Sequence, residues 1–113
     1  MGDSGSDGDD RQRLELRFDE AMLEIYDRAK KEIKYNASYF HRMLLEHGGL
    51  VTARRFLHDP DATAGFTRLW EKGRLDLSVE AYVLRSEFRP LFTEEELAAA
   101  RRRLNEFGYT VRE

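Results

Sequence analysis

The chain has 113 residues, no Cys and a formal net charge of -3. This length predicts a single domain, and the lack of Cys excludes disulfides, thiolate metal ligands and a cysteine nucleophile. No run approaches the ~20 apolar residues that span a bilayer, and the N-terminus lacks a signal-peptide pattern, so we expect a cytoplasmic protein that does not enter a membrane.

Acidic residues are concentrated at the N-terminus. Residues 1–10, MGDSGSDGDD, contain four Asp and, after Met1, no apolar or basic residue. Such a segment buries too little apolar surface to offset the entropy lost on ordering. The sequence therefore predicts a disordered acidic tail at 1–10, followed by a single helical domain at 11–113 with nearly balanced charge.

The first helix is predicted to run from about Arg11 or Gln12 to Lys34. Apolar residues repeat there at intervals of three and four, which gives a helix one buried face. This stripe consists of Leu14, Phe18, Met22, Ile25, Ala29 and Ile33. A second, shorter apolar strip beside it consists of Leu16, Leu23 and Tyr26.

Glycines divide the next part of the chain. Asn36 is predicted to cap a second helix, and Gly48-Gly49 to end it. A third helix is predicted from Leu50 to His58.

The stretch 65–93 contains the only Trp and much of the large apolar volume, so we expect it to form the centre of the core. Trp70 is predicted to be a buried anchor. Its helix should end at Gly73, and the next helix should begin after Ser78, whose hydroxyl can accept a hydrogen bond from the first turn. That helix should end by about Phe88, because a proline follows shortly after.

Charged residues at this junction are predicted to connect the two helices. Arg74 is expected to pair with Asp76 or Glu80, since buried charges are rarely left unpaired.

The last helix has the clearest start signal. Thr93 and Glu96 have the spacing of a capping box ahead of an apolar repeat, while Gly108 and Tyr109 are typical of a Schellman motif at the other end. Together these elements predict an all-α fold: a compact bundle of about five to six helices, with one long N-terminal helix and several shorter ones.

The pattern of apolar, glycine and capping residues also resembles a known kind of module. Its matching positions are Tyr26, Ala29-Lys30, Tyr35, Phe40, Met43, Gly48-Gly49, Thr52-Ala53, Leu57, Gly65-Phe66, Leu69, Arg74 to Glu80, Leu91 to Thr93 and Tyr109. Over residues 18–109 the chain resembles a short all-helical module of uncharacterised bacterial proteins, sometimes free-standing and sometimes appended to larger nuclease-like or restriction-type proteins. The resemblance implies no established activity and no catalytic residues.

No motif for catalysis stands out. The three histidines lack the spacing of a metal signature such as HExxH, and Tyr26 with Lys30 matches a Y-x-x-x-K spacing without a glycine-rich phosphate loop. We therefore predict a protein that is not an enzyme and that uses no cofactor or metal.

Two functions remain open. We favour a protein-interaction or scaffolding module that contacts an unidentified protein partner through a helical face or through the strip Leu16, Leu23 and Tyr26. The alternative is an accessory nucleic-acid-binding domain. Its phosphate contacts would come from Arg54, Arg55, Arg101, Arg102 and Arg103. The glutamates of the same last helix and the pI of about 5.7 weigh against it.

Overall fold

The computed structural model describes residues 3–59 and 64–110, with side chains over 8–59 and 65–110. Within these residues the structure is all-α, with a long N-terminal helix followed by shorter ones. The helices are α1 (Asp3–Glu32), α2 (Ser38–His58), α3 (Ala64–Glu71), α4 (Val79–Val83) and α5 (Glu94–Glu106). Short 3-10 helices cover Leu75–Leu77 and Arg89–Leu91. The predicted fold class is confirmed, and no helix in the described residues is long and apolar enough to cross a membrane.

The apolar stripe of α1 forms one side of the core. Phe18 and Met22 are fully buried, and Ile25 and Ala29 are nearly so. Phe18 also meets the rings of two residues near α5, Phe88 and Phe92, edge-on at centroid distances of 5.1 and 5.3 Å. The long helix thereby packs against the segment that precedes α5.

The start of α1 differs from the prediction. The helix begins at Asp3 rather than near Arg11, so it includes most of the segment predicted as a disordered tail. Nothing in that segment forbids a helix, because it lacks Pro, its glycines cost only about 1 kcal/mol each relative to Ala, and acidic residues are favourable near a helix N-terminus. Residues 8–13 are exposed, so these turns of the helix make little contact with the rest of the fold.

The two central glycines have different roles. Gly48 has φ 82° and ψ 169°, which breaks α2 into two segments, so the predicted interruption is confirmed. Gly49 is needed for close packing, because a Cβ there would lie 2.7 Å from Asp19 Oδ1 and 3.2 Å from Met22 Cγ. Its N–H donates to Asp19 Oδ1 at 2.7 Å, which joins the middle of α2 to α1.

The predicted cap of α2 is wrong. Ala37, not Asn36, occupies the N-cap position, and no side chain caps the helix. The Asn36 side chain instead accepts a hydrogen bond from the hydroxyl of Tyr26 at 3.0 Å. The side-chain oxygen of Asn36, which the sequence predicted to cap α2, is therefore bonded to Tyr26 of α1 instead.

Trp70 is not the core anchor that the sequence predicted. It is 48% exposed, whereas Phe66 and Leu69 on the same helix are 4% and 6% exposed. The buried face of α3 is directed at the 3-10 helix Leu75–Leu77, and Trp70 lies at the edge of that face, where the ring of Phe107 meets it edge-on at 5.5 Å. The rest of the predicted core in 65–93 is buried.

The helix boundaries after α3 follow the predicted local signals except at one end. Gly73 has φ 68° just after α3, and the Ser78 hydroxyl accepts from the Ala81 N–H at 3.1 Å, as predicted. However, α4 ends at Val83 rather than near Phe88. The chain turns earlier than the proline requires, and Pro90 lies in the middle of the 3-10 helix that begins at Arg89.

The capping box of α5 is confirmed. Thr93 Oγ1 accepts from the Glu96 N–H at 3.1 Å, and Glu96 Oε1 accepts from the Thr93 N–H at 2.9 Å. At the other end Gly108 has φ 79° and the Tyr109 N–H donates to the Leu104 carbonyl at 2.9 Å, which is the predicted Schellman arrangement.

Candidate functional site

A cavity of about 950 Å³ lies between α1, α2, α3 and the start of α4. Its floor is apolar because each of these helices directs buried residues towards the same space. These residues are Ile25, Ala29, Phe40, Met43, Phe56, Phe66, Leu69, Leu77 and Val79.

The mouth of the cavity is polar. One side is formed by the connection from α1 to α2 and includes Tyr35 and Tyr39, of which Tyr39 is 59% exposed. The other side is the end of α2, with Arg55, His58 and Asp59, all exposed. An apolar floor below a few polar groups is the usual composition of a binding pocket.

Glu80 lies in the cavity wall and is only 3% exposed. Its Oε2 atom lies 2.6 Å from Nη1 of Arg103 on α5, and the same guanidinium donates to the carbonyls of Phe56 and Asp59. Burial raises the pKa of Glu80, while the charge of Arg103 opposes that rise. The pair connects α4, α5 and the end of α2, and so holds this wall in place.

Sequence reasoning missed this pair. Arg74 does pair with Asp76, at 3.0 Å, but its second partner is Glu32 of α1, at 2.7 Å, rather than Glu80. Hydrogen bonds from Arg28 and Arg74 lower the pKa of Glu32 to about 2. No local signal identifies partners on separate helices; only the assembled fold brings them together.

One arginine lines the mouth of the cavity and two more lie beside it. Arg55 lines the mouth directly. The guanidinium of Arg68 lies 5.6 Å from the ring centroid of Tyr35, and that of Arg42 lies 5.7 Å from the ring centroid of Tyr39, and both tyrosines line the cavity. Three cations are therefore at or next to the mouth, although the pI of the whole chain is acidic.

The five arginines predicted to contact phosphates differ in their contacts and in their exposure. Arg54 donates to the Leu91 carbonyl at 2.9 Å and lies 3.2 Å from Glu96, and Arg103 is bound to Glu80. Of the remaining three, Arg55 is at the cavity mouth, Arg102 is exposed and Arg101 is half-buried. Two of the five are thus internal donors that join helices.

The contacts around Glu96 lower the pKa of its carboxyl group. Burial alone would raise the pKa of Glu96, but the hydrogen bond from the Thr93 N–H, with His58 and Arg54 beside it, holds that pKa below its ordinary value. His58 Nε2 lies 3.0 Å from Glu96 Oε2. The predicted capping residue therefore also joins α5 to the end of α2.

The predicted interaction strip is only partly on the surface. Leu16 and Leu23 are 63% and 39% exposed, but Tyr26 is half-buried and stacks on His41 of α2 at a centroid distance of 4.1 Å. Tyr26 therefore helps to pack α1 against α2 and is not part of a free surface.

A third leucine, which the sequence did not identify, borders the same helix pair. The contacts between Tyr26 and His41 and between Asp19 and Gly49 fix the antiparallel register of α1 and α2. In that register Leu45, which is 70% exposed, is at about the same level along the helix pair as Leu23, which is 39% exposed. We call Leu16, Leu23 and Leu45 the leucine face.

Among the side chains described, no group of three or more His, Asp or Glu residues is arranged to hold a metal ion. Of the histidines, His41 is engaged with a tyrosine ring and His58 with a carboxylate.

No family model, curated protein or solved structure matches the chain. The resemblance to bacterial helical modules therefore stays a prediction, and function has to be inferred from the cavity and its mouth.

Proposed function

We propose that the protein is a non-enzymatic helical interaction module that docks an apolar segment of a partner protein in the cavity between α1, α2 and α3. One observation carries the proposal, the cavity of about 950 Å³ with its apolar floor and polar mouth. The concave shape, the apolar floor and the few polar groups at the mouth are together typical of a binding pocket.

An amphipathic helix is the partner segment that best fits the site. The walls are themselves helices, and a further helix can place residues spaced three and four apart against an apolar groove. Each Å² of apolar surface that the partner removes from water contributes about 25 cal/mol, before the cost of association.

The polar groups at the cavity support binding rather than catalysis. The Ser78 hydroxyl donates to the Leu75 carbonyl at 2.7 Å and accepts from the Ala81 N–H, so it is committed to capping α4. Glu80 is held by Arg103. Neither group is placed as a nucleophile next to a free base.

The internal contacts of Arg54 and Arg103 favour a protein partner over nucleic acid. Both guanidinium groups already bind carboxylates and carbonyls of the fold. Exposing them to phosphate would require breaking contacts that join α2, α4 and α5.

A crosslinking experiment in cells tests the proposal. A photo-reactive benzophenone side chain replaces Tyr39 at the mouth, and in a control protein it replaces Leu45 on the leucine face. We expect a crosslinked protein adduct from position 39 only. The variants Ala29→Leu and Ala37→Leu, which add volume at the cavity, should abolish that adduct while circular dichroism still shows a folded helical protein.

The control at position 45 also tests whether a partner docks outside the cavity. An adduct that forms from position 45, or that survives in both cavity-filling variants, would overturn docking in the cavity. Two substitutions are used because Ala29 is 2% exposed and a leucine there can strain α1, whereas Ala37 is partly buried in the α1–α2 connection.

A further inference from the structure

We infer that the segment docked in the cavity is acidic, an amphipathic helix that carries Asp or Glu residues next to its apolar ones. The inference rests on the proposed function, because it concerns the chemistry of the partner at the same site. The mouth of the cavity supplies the evidence.

Each of two tyrosines that line the cavity has an arginine beside its ring. Tyr35 and Tyr39 line the cavity, and the guanidinium groups of Arg68 and Arg42 lie over their rings. A guanidinium over an aromatic ring keeps its N–H groups free to donate at its edge, and its planar fork matches a carboxylate. Together with Arg55, which lines the mouth, Arg42 and Arg68 place three cations at or next to the mouth.

Fewer acids oppose these cations. Glu80 faces Arg103 rather than the mouth arginines, and His58 is directed at Glu96. Among the described residues at the mouth, Asp59 is the acidic one, and its backbone carbonyl accepts from Arg103. Arg55 at the mouth and Arg42 and Arg68 beside it therefore outnumber the Asp59 carboxylate, although the chain as a whole is net negative.

This charge determines which partner is accepted. Carboxylates beside the apolar residues of the partner would form charge-assisted hydrogen bonds with the rim, and a basic segment with the same apolar residues would be repelled. Nucleic acid offers anions too, but its phosphates would leave the apolar floor unused. The combination of floor and rim thus favours an acidic peptide.

The test uses two labelled peptides and the full chain. Both are amphipathic helices with the same leucines; one has Glu at the flanking positions and the other has Lys. We expect fluorescence anisotropy to give an affinity for the Glu peptide at least about 10-fold higher at low salt, a difference that shrinks as salt screens the charges. The double variant Arg55→Glu/Arg68→Glu should reverse the preference.

The control is Arg102→Glu, which reverses the charge of one exposed arginine on α5. It should leave the preference for the Glu peptide intact. Equal binding of both peptides, lost in Ala37→Leu, would retain the docking function but overturn the acidic partner. Binding of neither peptide, together with absence of the position-39 adduct, would overturn the docking function itself. Displacement of the Glu peptide by a single-stranded oligonucleotide that binds more tightly would overturn the inference in favour of nucleic acid.

Discussion

The two buried glutamates, Glu80 and Glu96, lie in the first turns of α4 and α5 and are 3% and 4% exposed. Each has an arginine within 3.2 Å. Their pKa values nevertheless move in opposite directions: burial raises that of Glu80, whereas Glu96 titrates below its ordinary value despite burial.

The difference follows from how far each carboxyl group is removed from water and from the number of its donors. Glu80 is paired with Arg103, whose side chain is only 14% exposed, whereas Arg54 and His58, the partners of Glu96, are 38% and 65% exposed. Glu96 also accepts from the Thr93 N–H, so burial raises the pKa of Glu80 but is outweighed at Glu96. A low exposed fraction and a cationic partner therefore do not predict by themselves how a carboxyl group behaves.

The largest effect is expected when the ion pair between Glu80 and Arg103 is broken. Arg103→Met leaves Glu80 buried without its cation and should lower the free energy of unfolding by about 3–5 kcal/mol, measured by urea denaturation. The double variant Glu80→Met/Arg103→Met should be less destabilised than Arg103→Met, since no charge is then stranded. Additive losses from the two substitutions would mean that the residues do not interact.

The capping box should give a smaller effect. Thr93→Ala should cost about 1 kcal/mol and Glu96→Ala about 2 kcal/mol, because Glu96 also serves His58 and Arg54. The exposed neighbours provide controls: Glu94→Ala and Glu95→Ala should each stay within about 0.5 kcal/mol of wild type. Similar losses at all four positions would refute a specific cap.

Within α3, two aromatic residues differ in how much of the side chain is buried. Trp70→Ala should cost only about 1 kcal/mol, because half of the side chain already contacts water, and Phe66→Ala on the same helix about 3–5 kcal/mol. Thermal melting of both variants checks the ranking. If the tryptophan variant is the less stable one, the indole has contacts beyond Phe107.

The smallest effect is the dependence of stability on pH. The folded pKa of Glu96 is lowered from 4.5, so its contribution is present above about 4.5 and lost as pH falls through the folded value. The folded pKa of Glu80 is raised from 4.5, so its contribution is present below 4.5 and lost as pH rises through the folded value.

Two neutral variants separate these contributions. Denaturation is measured at a series of pH values. For Glu96→Gln, the free energy of unfolding should fall less at acid pH than it does for wild type. For Glu80→Gln, the free energy of unfolding should no longer fall as pH rises above about 4.5. Parallel profiles for wild type and both variants would contradict the assigned directions.

The sequence predicted most of what depends on neighbours in the chain. The stripe of α1, the break at Gly48, the cap at Ser78 and the box at Thr93 each depend on residues a few positions apart. These were found because short-range hydrogen bonds and helical spacing are written directly into the order of residues.

Several of the failures depend on which surfaces meet. Trp70 has the spacing of a buried residue but lies where little covers it, and Asn36 serves a tyrosine from another helix. The cavity was missed for the same reason, since its floor is made of ordinary core residues from five elements. Of the predicted strip, Leu16 and Leu23 are exposed, but the tyrosine that completed it packs inward.

The long helix α1 has a consequence for hydrogen exchange. Its amides from about Phe18 to Ala29 belong to buried turns, so they should exchange only through opening of the core. Residues 8–13 are held by their own helical bonds and are exposed, and an isolated helical segment this short is marginal in water. One uninterrupted helix should therefore span nearly the full range of protection factors, with deuterium entering from its N-terminal end.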